Sequence, residues 1–281
     1  MDATVLARTV QYGAVAIVGG SSLLLATTAA PAWPRWLSPA AALIGVAATC
    51  GWLAAEAIGI ADLSAIGSVA TDTSFGRAGL VRVGLLLLAA AVSIVRPSAW
   101  TVLAGLGGLA AASFAWTGHG GIGAGVLGAA HLLADIIHLL AATAWIGALP
   151  VLALLALDHR DPASAASALR DFSRLGPALV CLILLSGLVN SCVLVGPAAA
   201  LHLTATPYGR LLAAKLVLFM MMLALAAANR WKLTPALDRA IARSEPSPRA
   251  LITSLVLETL LGATVIGLVA WMGTVLPAAH A

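Results

Sequence analysis

The sequence predicts an all-α fold, a polytopic transmembrane helix bundle of about eight spans, on three observations. Of 281 residues, 61% are hydrophobic and only 9% are charged, where a soluble domain carries about 25% charged residues. The mean hydropathy is +1.03, so lipid rather than water is the solvent for most of the chain. In lipid the backbone must close its own hydrogen bonds, which leaves helices or a closed barrel. Barrel strands alternate apolar and polar residues, whereas this chain runs Leu85-Leu86-Leu87-Leu88-Ala89-Ala90-Ala91-Val92. Helices are selected.

A span needs roughly 20 apolar residues. Eight segments qualify: 9–29, 40–60, 78–95, 99–117, 129–157, 172–195, 208–228 and 251–275. The fifth is long enough to tilt. No soluble domain fits between them and no internal repeat is visible, so residues 1–281 read as a single integral membrane domain. The 27 glycines fit close helix packing. Cys50, Cys181 and Cys192 form no CxxC and no disulfide framework.

An even number of spans puts both termini on one side. Arg35, Arg96, Arg160, Arg170, Arg174, Arg230, Lys232, Arg239, Arg243 and Arg249 fall on one face. Arg8, Arg77, Arg82, Arg210 and Lys215 fall on the other. The positive-inside rule then places both termini outside. Spread over membrane-flanking loops, the formal charge of +4 reports topology, not a nucleic-acid partner. The first segment has the apolar run and small residues of a signal peptide. Cleavage near Ala29 would turn the basic face outward, so the charge bias argues for retention.

The histidines gather on the outer side: His119 in a glycine loop, His131 and His138 at the start of span five, then His202 and His280. His159 lies in an inner loop and reads as a solvated histidine. The segment His131-Leu-Leu-Ala-Asp135-Ile-Ile-His138 is the most informative. At about 100° per residue, Asp135 and His138 lie within roughly 40° of His131, and Ala142 and Trp145 continue the stripe. Ionisable groups inside a bilayer are costly and face a cavity, a partner or a substrate path.

Spacing limits that stripe. His131 and His138 stand about 10 Å apart along the axis, too far to share one ion on a straight helix. His131 with Asp135, or Asp135 with His138, is close enough, so a stepped pair of sites is expected. The alternative is that Asp135 only orients a histidine. The loop Trp116-Thr-Gly-His119-Gly-Gly could fold His119 back over His131. Imidazole suits Cu(II) and soft sulfur suits Cu(I). Met220, Met221 and Met222 diverge by about 100° per step and read as gap-fillers.

Other patterns carry less. Gly123-Ala-Gly125-Val-Leu-Gly128 spells GxGxxG but follows no strand, which removes dinucleotide binding. No hydrolase context surrounds any serine, so no enzyme activity is expected. Glu258, within the last span, reads equally as a structural carboxylate or as part of a proton route. Lys215, Arg82 and Glu56 are its candidate partners, or snorkelling residues nearer the outer surface.

These residues together resemble the copper resistance D (CopD) family of bacterial inner-membrane proteins. The stretches that carry the likeness are Trp116-Thr-Gly-His119, His131 through Gly147, Phe172-Ser-Arg174-Leu, Ser186-Gly-Leu-Val-Asn190, Thr206-Pro-Tyr208-Gly-Arg210 through Lys215, Asn229-Arg230 through Pro235, and Glu258-Thr-Leu-Leu-Gly262. The resemblance implies a multi-pass inner-membrane protein of copper homeostasis that moves copper between periplasm and cytoplasm. It implies copper roles for His119, His131 and His138, with Asp135 as ligand or orienter. Some relatives carry a periplasmic copper-binding partner fused to the chain. Here that partner is expected as a separate protein.

Copper transport is therefore the expected function, with Lys215 and Glu258 available for proton coupling. A copper-delivery module that hands on metal without moving it across the bilayer uses the same outer ligands. A haem protein would need axial histidines on facing helices, and His131 and His138 share one helix.

Overall fold

The structure is a computed structural model that describes residues 3–28, 34, 36–60, 62–117, 125–158, 160–195 and 203–276. His119, His159, His202 and His280 lie outside the described residues, as does Arg35. Every regular element among the described residues is helical. In chain order these are α1 (Ala3–Thr27), α2 (Leu37–Ile60), the short α3 (Ile66–Asp72), α4 (Ser74–Val95), α5 (Trp100–Trp116), α6 (Gly125–Leu157), α7 (Pro162–Leu194), α8 (Pro207–Ala242) and α9 (Arg249–Met272).

Seven of these are long and apolar enough to cross a membrane, and α5 is a shorter apolar helix. It ends in a 3-10 turn, Ser113–Trp116. At about 1.5 Å per α-helical residue and about 2 Å per 3-10 residue, its length comes close to the ~30 Å hydrocarbon layer. Arg82 on α4 bonds Ser113 at the far end of α5, so α5 retraces α4 in the opposite direction. Arg8 at the start of α1 donates to the Gly273 carbonyl just after α9 at 2.6 Å. The first and last spans therefore meet at one end of the bundle, here termed the upper end.

Helix ends differ most from the expected spans in two places. Expected at residue 172, α7 starts at Pro162, capped by Asp161, whose carboxylate accepts from the Ser164 amide at 3.0 Å. Expected to stop at 228, α8 continues through a π-helical turn, Asn229–Leu233, to Ala242. Hydropathy falls where charges begin, but backbone hydrogen bonding needs no apolar side chains. The two extensions pack below the membrane segments, where Arg170 pairs with Asp238 at 2.6 Å and Arg230 donates to the Ser173 carbonyl. Leu169, Leu237, Leu251 and Leu255 bury together beneath them.

The N-terminal helices α1, α2, α4 and α5 close on Val15, Val18, Leu86, Leu103 and Phe114. The C-terminal set surrounds Trp145, Leu149, Ile183 and Met222. Helices α1 and α6 join the two halves at very short range. A π-helical turn at Ile17–Ser21 lets Ser21 donate to the Gly147 carbonyl at 2.6 Å. The Gly147 Cα lies against the Ala16 carbonyl oxygen and Gly20, where a Cβ has no room. Small residues permit such approach, and here it sets Arg8 and Tyr12 of α1 opposite the first turns of α6.

Candidate functional site

The stripe predicted on span five faces a cavity of about 230 Å³ between α1, α5, α6, α7, α8 and α9. His131, Asp135 and His138 all line it, joined by Arg8 and Tyr12 from α1, Asn190 from α7, and Tyr208 and Lys215 from α8. His131 is buried at 4% exposure. Asp135 is held by Asn190, whose amide donates to Oδ1 at 3.1 Å, while the Asn190 carbonyl oxygen has no protein partner. His131 and Lys215 are the cationic or ionisable neighbours that act on the Asp135 carboxylate. Asn190 is thus the hydrogen-bond partner of Asp135, and His131 stands nearest it in charge among the histidines of the stripe.

His138 has a different second partner. Its Nδ1 lies 3.1 Å from Ser186 Oγ, and that hydroxyl donates to the Leu182 carbonyl at 2.5 Å. A serine hydroxyl has one proton. With that proton on Leu182, Nδ1 must carry its own hydrogen and donate to Ser186, leaving Nε2 with the lone pair. An imidazole oriented by a hydrogen bond at its other nitrogen is a prepared ligand. Among the described residues, no three His, Cys, Asp or Glu side chains converge as a metal-holding group. His131–Asp135 and His138 form two levels along α6.

Trp145, two turns below His138, reaches a second polar level. Its indole donates to Glu258 Oε1 at 3.1 Å, and Asn229 donates to Oε2 at 2.9 Å. The carboxylate is 1% exposed and lines a cavity of about 480 Å³ with Phe172, Cys181 and Arg230. None of the expected partners reaches it. Lys215 lines the upper cavity, Glu56 accepts from Trp52 at 3.0 Å, and Arg82 sits among α1, α4 and α5. Met222 is buried beside Trp145 while Met220 and Met221 are exposed, so the three methionines do diverge.

Asn190, Ser186 and Asn229 stand in stretches that carry the family likeness, but sequence alone assigned none of them a site role. Each is a lone polar residue in an apolar run, and Ser186 and Asn190 stand four apart on one helix face, as His131 and Asp135 do. That spacing was the available signal. Arg8 and Tyr12 had no such signal, because only the α1–α6 contact brings them to the cavity.

A helical bundle with seven helices long and apolar enough to cross a membrane, and with ionisable side chains turned into two cavities, defines a polytopic membrane protein. Residues 166–272 match the family model "Copper resistance protein D", and residues 1–129 match "Copper resistance protein D-like, N-terminal domain". The chain is 38% identical over 218 residues to copper resistance protein D of Pseudomonas syringae pv. tomato, covering 74% of this chain and 70% of the relative. It is 32% identical over 211 residues to the inner membrane protein YebZ of Escherichia coli (strain K12), covering 73% and 70%. No solved structure matches. The chain belongs to the copper resistance protein D family.

Proposed function

We propose that this protein serves copper homeostasis in the bacterial inner membrane, taking up copper at the upper cavity and passing it across the bilayer along α6. The observation that carries this reading is the prepared pair of levels facing one cavity: His131 with Asp135 held by Asn190, then His138 held by Ser186. Imidazole nitrogen and carboxylate oxygen are a donor set suited to Cu(II). Copper enters at His131–Asp135 and steps to His138 Nε2. The lower cavity, with Glu258 at its wall, continues the route on the same side of α6. The family membership and the printed name of the Pseudomonas relative support copper as the cargo.

In this reading both termini face the periplasm, where a separate copper-binding protein loads the upper cavity, and His119 joins the first level from its loop. Lys215 and Glu258 carry any coupled proton. Copper delivery without passage is the competing reading, favoured by the same upper ligands. Copper binding to purified protein, compared with His131→Ala and His138→Ala, tests the site. Both variants should lose binding, and unchanged binding in both overturns the assignment. Accumulation of copper inside vesicles then separates passage from delivery.

A further inference from the structure

The N-terminal half of the bundle holds two buried arginines that take no part in the copper route proposed above. Arg82 is fully buried, and Arg8 is 6% exposed. Among the described residues the ion pairs are Arg170–Asp238 and Arg174–Asp171, so neither buried arginine has a carboxylate partner. Arg82 Nε donates to Ser113 at 3.0 Å and Nη1 to Gln11 Oε1 at 2.9 Å, with its guanidinium 3.8 Å from the Phe114 ring centre. Arg8 donates to the Gly273 carbonyl and lies 5.1 Å from the Trp52 ring centre. Arg8 and Gln11 stand three apart on α1, so they share a face, and Arg8 acts electrostatically on Arg82.

What these side chains leave unpartnered has one sign. The buried atoms without a hydrogen-bond partner are Arg82 Nη2, Gln11 Nε2 and Arg8 Nε. All three are donors. The Gln11 amide cannot be turned to change this, because an arginine has only protons to offer and must meet Oε1. Gln11 Oε1 also lies 3.3 Å from Thr49 Oγ1, so this acceptor is already surrounded. Two guanidiniums in a low-dielectric interior without a counter-charge are strongly unfavourable, and the face of an aromatic ring offsets only part of that. A cation finds no free acceptor here, whereas an anion finds three donors and two positive charges.

We propose that Arg82, Gln11 and Arg8 bind a small monovalent anion, of the size of chloride or formate, between α1 and α4 behind the wall of the upper cavity. Tyr12 and Phe114 meet edge to face at 4.4 Å and line that cavity, and the Phe114 ring also faces the Arg82 guanidinium. The anion neutralises the α1–α4 interface and lowers the positive potential that Arg8 and Lys215 set up around the cavity. The site stands independently of copper.

The test uses the full chain in detergent micelles, in gluconate buffer without copper, titrated with radiolabelled chloride and, separately, formate. Saturable binding of either, near one per chain, is expected, and the two arms identify the anion. Gln11→Glu places a carboxylate beside Arg82. It should fold, melt at higher temperature than wild type in gluconate, and bind the anion at least tenfold more weakly. Arg230→Gln, at the opposite end of the bundle, should bind as wild type does. Absence of saturable binding of both anions to wild type overturns the proposal, as does undiminished binding by Gln11→Glu or its failure to fold. None of these outcomes bears on copper binding at His131.

Discussion

Trp145 and Glu258, 113 residues apart in sequence, meet through an indole N–H bond of 3.1 Å that ties α6 to α9. The other carboxylate oxygen is tied to Asn229 in the π-helical turn of α8. One carboxyl group therefore pins three helices, and it is the acceptor in both bonds.

That arrangement predicts a swap. Asn229→Asp replaces a donor by a second carboxylate and should lower the melting temperature in detergent. The lost bond alone costs about 1–3 kcal/mol when its partner stays buried. Adding Glu258→Gln to Asn229→Asp restores one amide facing one carboxylate and should recover most of the loss. A double variant no more stable than Asn229→Asp would show that the two side chains are not coupled.

Ser186 fixes the tautomer of His138, so it should matter to copper without touching it. Ser186→Ala removes the acceptor for Nδ1–H, and loss of such an orienting group typically costs 10–100-fold in metal affinity. Ser186→Thr keeps the hydroxyl and should retain affinity. Equal copper affinity in wild type and Ser186→Ala would mean that His138 is not a ligand.

The α1–α6 contact predicts a steric effect. A methyl group at Gly147 would overlap the Ala16 carbonyl oxygen and Gly20. Backbone cannot rotate away as a side chain can, so Gly147→Ala should destabilise by about 1–3 kcal/mol. Because this contact also closes α1 onto α6, beside the cavity that His131 lines, the variant should lose copper affinity along with thermal stability. Gly13→Ala, with open space around its Cβ position, is the control that should melt as wild type does.

The helix bundle was legible because hydropathy reports the solvent directly, and the stripe from His131 to Trp145 because helical periodicity is fixed. The charged extensions of α7 and α8 were not, since a hydropathy window ends at the first charges while Asp161 and the π turn at Asn229 let the helices extend. Pairings across helices were the real gap. Glu258 was recognised as an intramembrane carboxylate, but its depth matches many residues, and only packing chooses Trp145 and Asn229 over Lys215, Arg82 or Glu56. Arg82 is a similar case: it looked like a snorkelling residue near a span end, yet its side chain turns inward to Gln11 and Ser113.

Asp161 predicts a pH effect at the foot of α7. The Ser164 hydroxyl first, and then the Ser164 amide, hold its carboxyl below the ordinary value of 3.8. A carboxyl whose folded pKa lies below its unfolded one contributes stability that is complete above the unfolded value and lost as pH falls through the folded value. First-turn amides of α7 should therefore exchange faster below about pH 4 after correction for intrinsic rates. Asp161→Asn can still cap the helix and should remove this pH dependence; a pH response that persists in Asp161→Asn would assign it to another group.

Membrane orientation yields the last prediction. The lower end exposes Arg96, Arg160, Arg170, Arg174, Arg230, Lys232, Arg239, Arg243 and Arg249. Of the five basic residues assigned to the upper side, Arg8 and Arg82 are buried and Lys215 turns into the cavity. Only Arg77 and Arg210 remain exposed there. Lys and Arg that leave the solvent-facing loops weaken the case for that side being cytoplasmic, so the folded structure makes the charge asymmetry steeper than the sequence alone does. The lower end should be cytoplasmic. In a background with Cys50, Cys181 and Cys192 replaced by alanine, Thr274→Cys at the upper end should react with a membrane-impermeant maleimide in intact spheroplasts. Glu245→Cys, in the exposed turn between α8 and α9, should react only after lysis. The reverse pattern would invert the protein in the membrane and put the His131 cavity on the cytoplasmic side, turning the proposed uptake site into an exit.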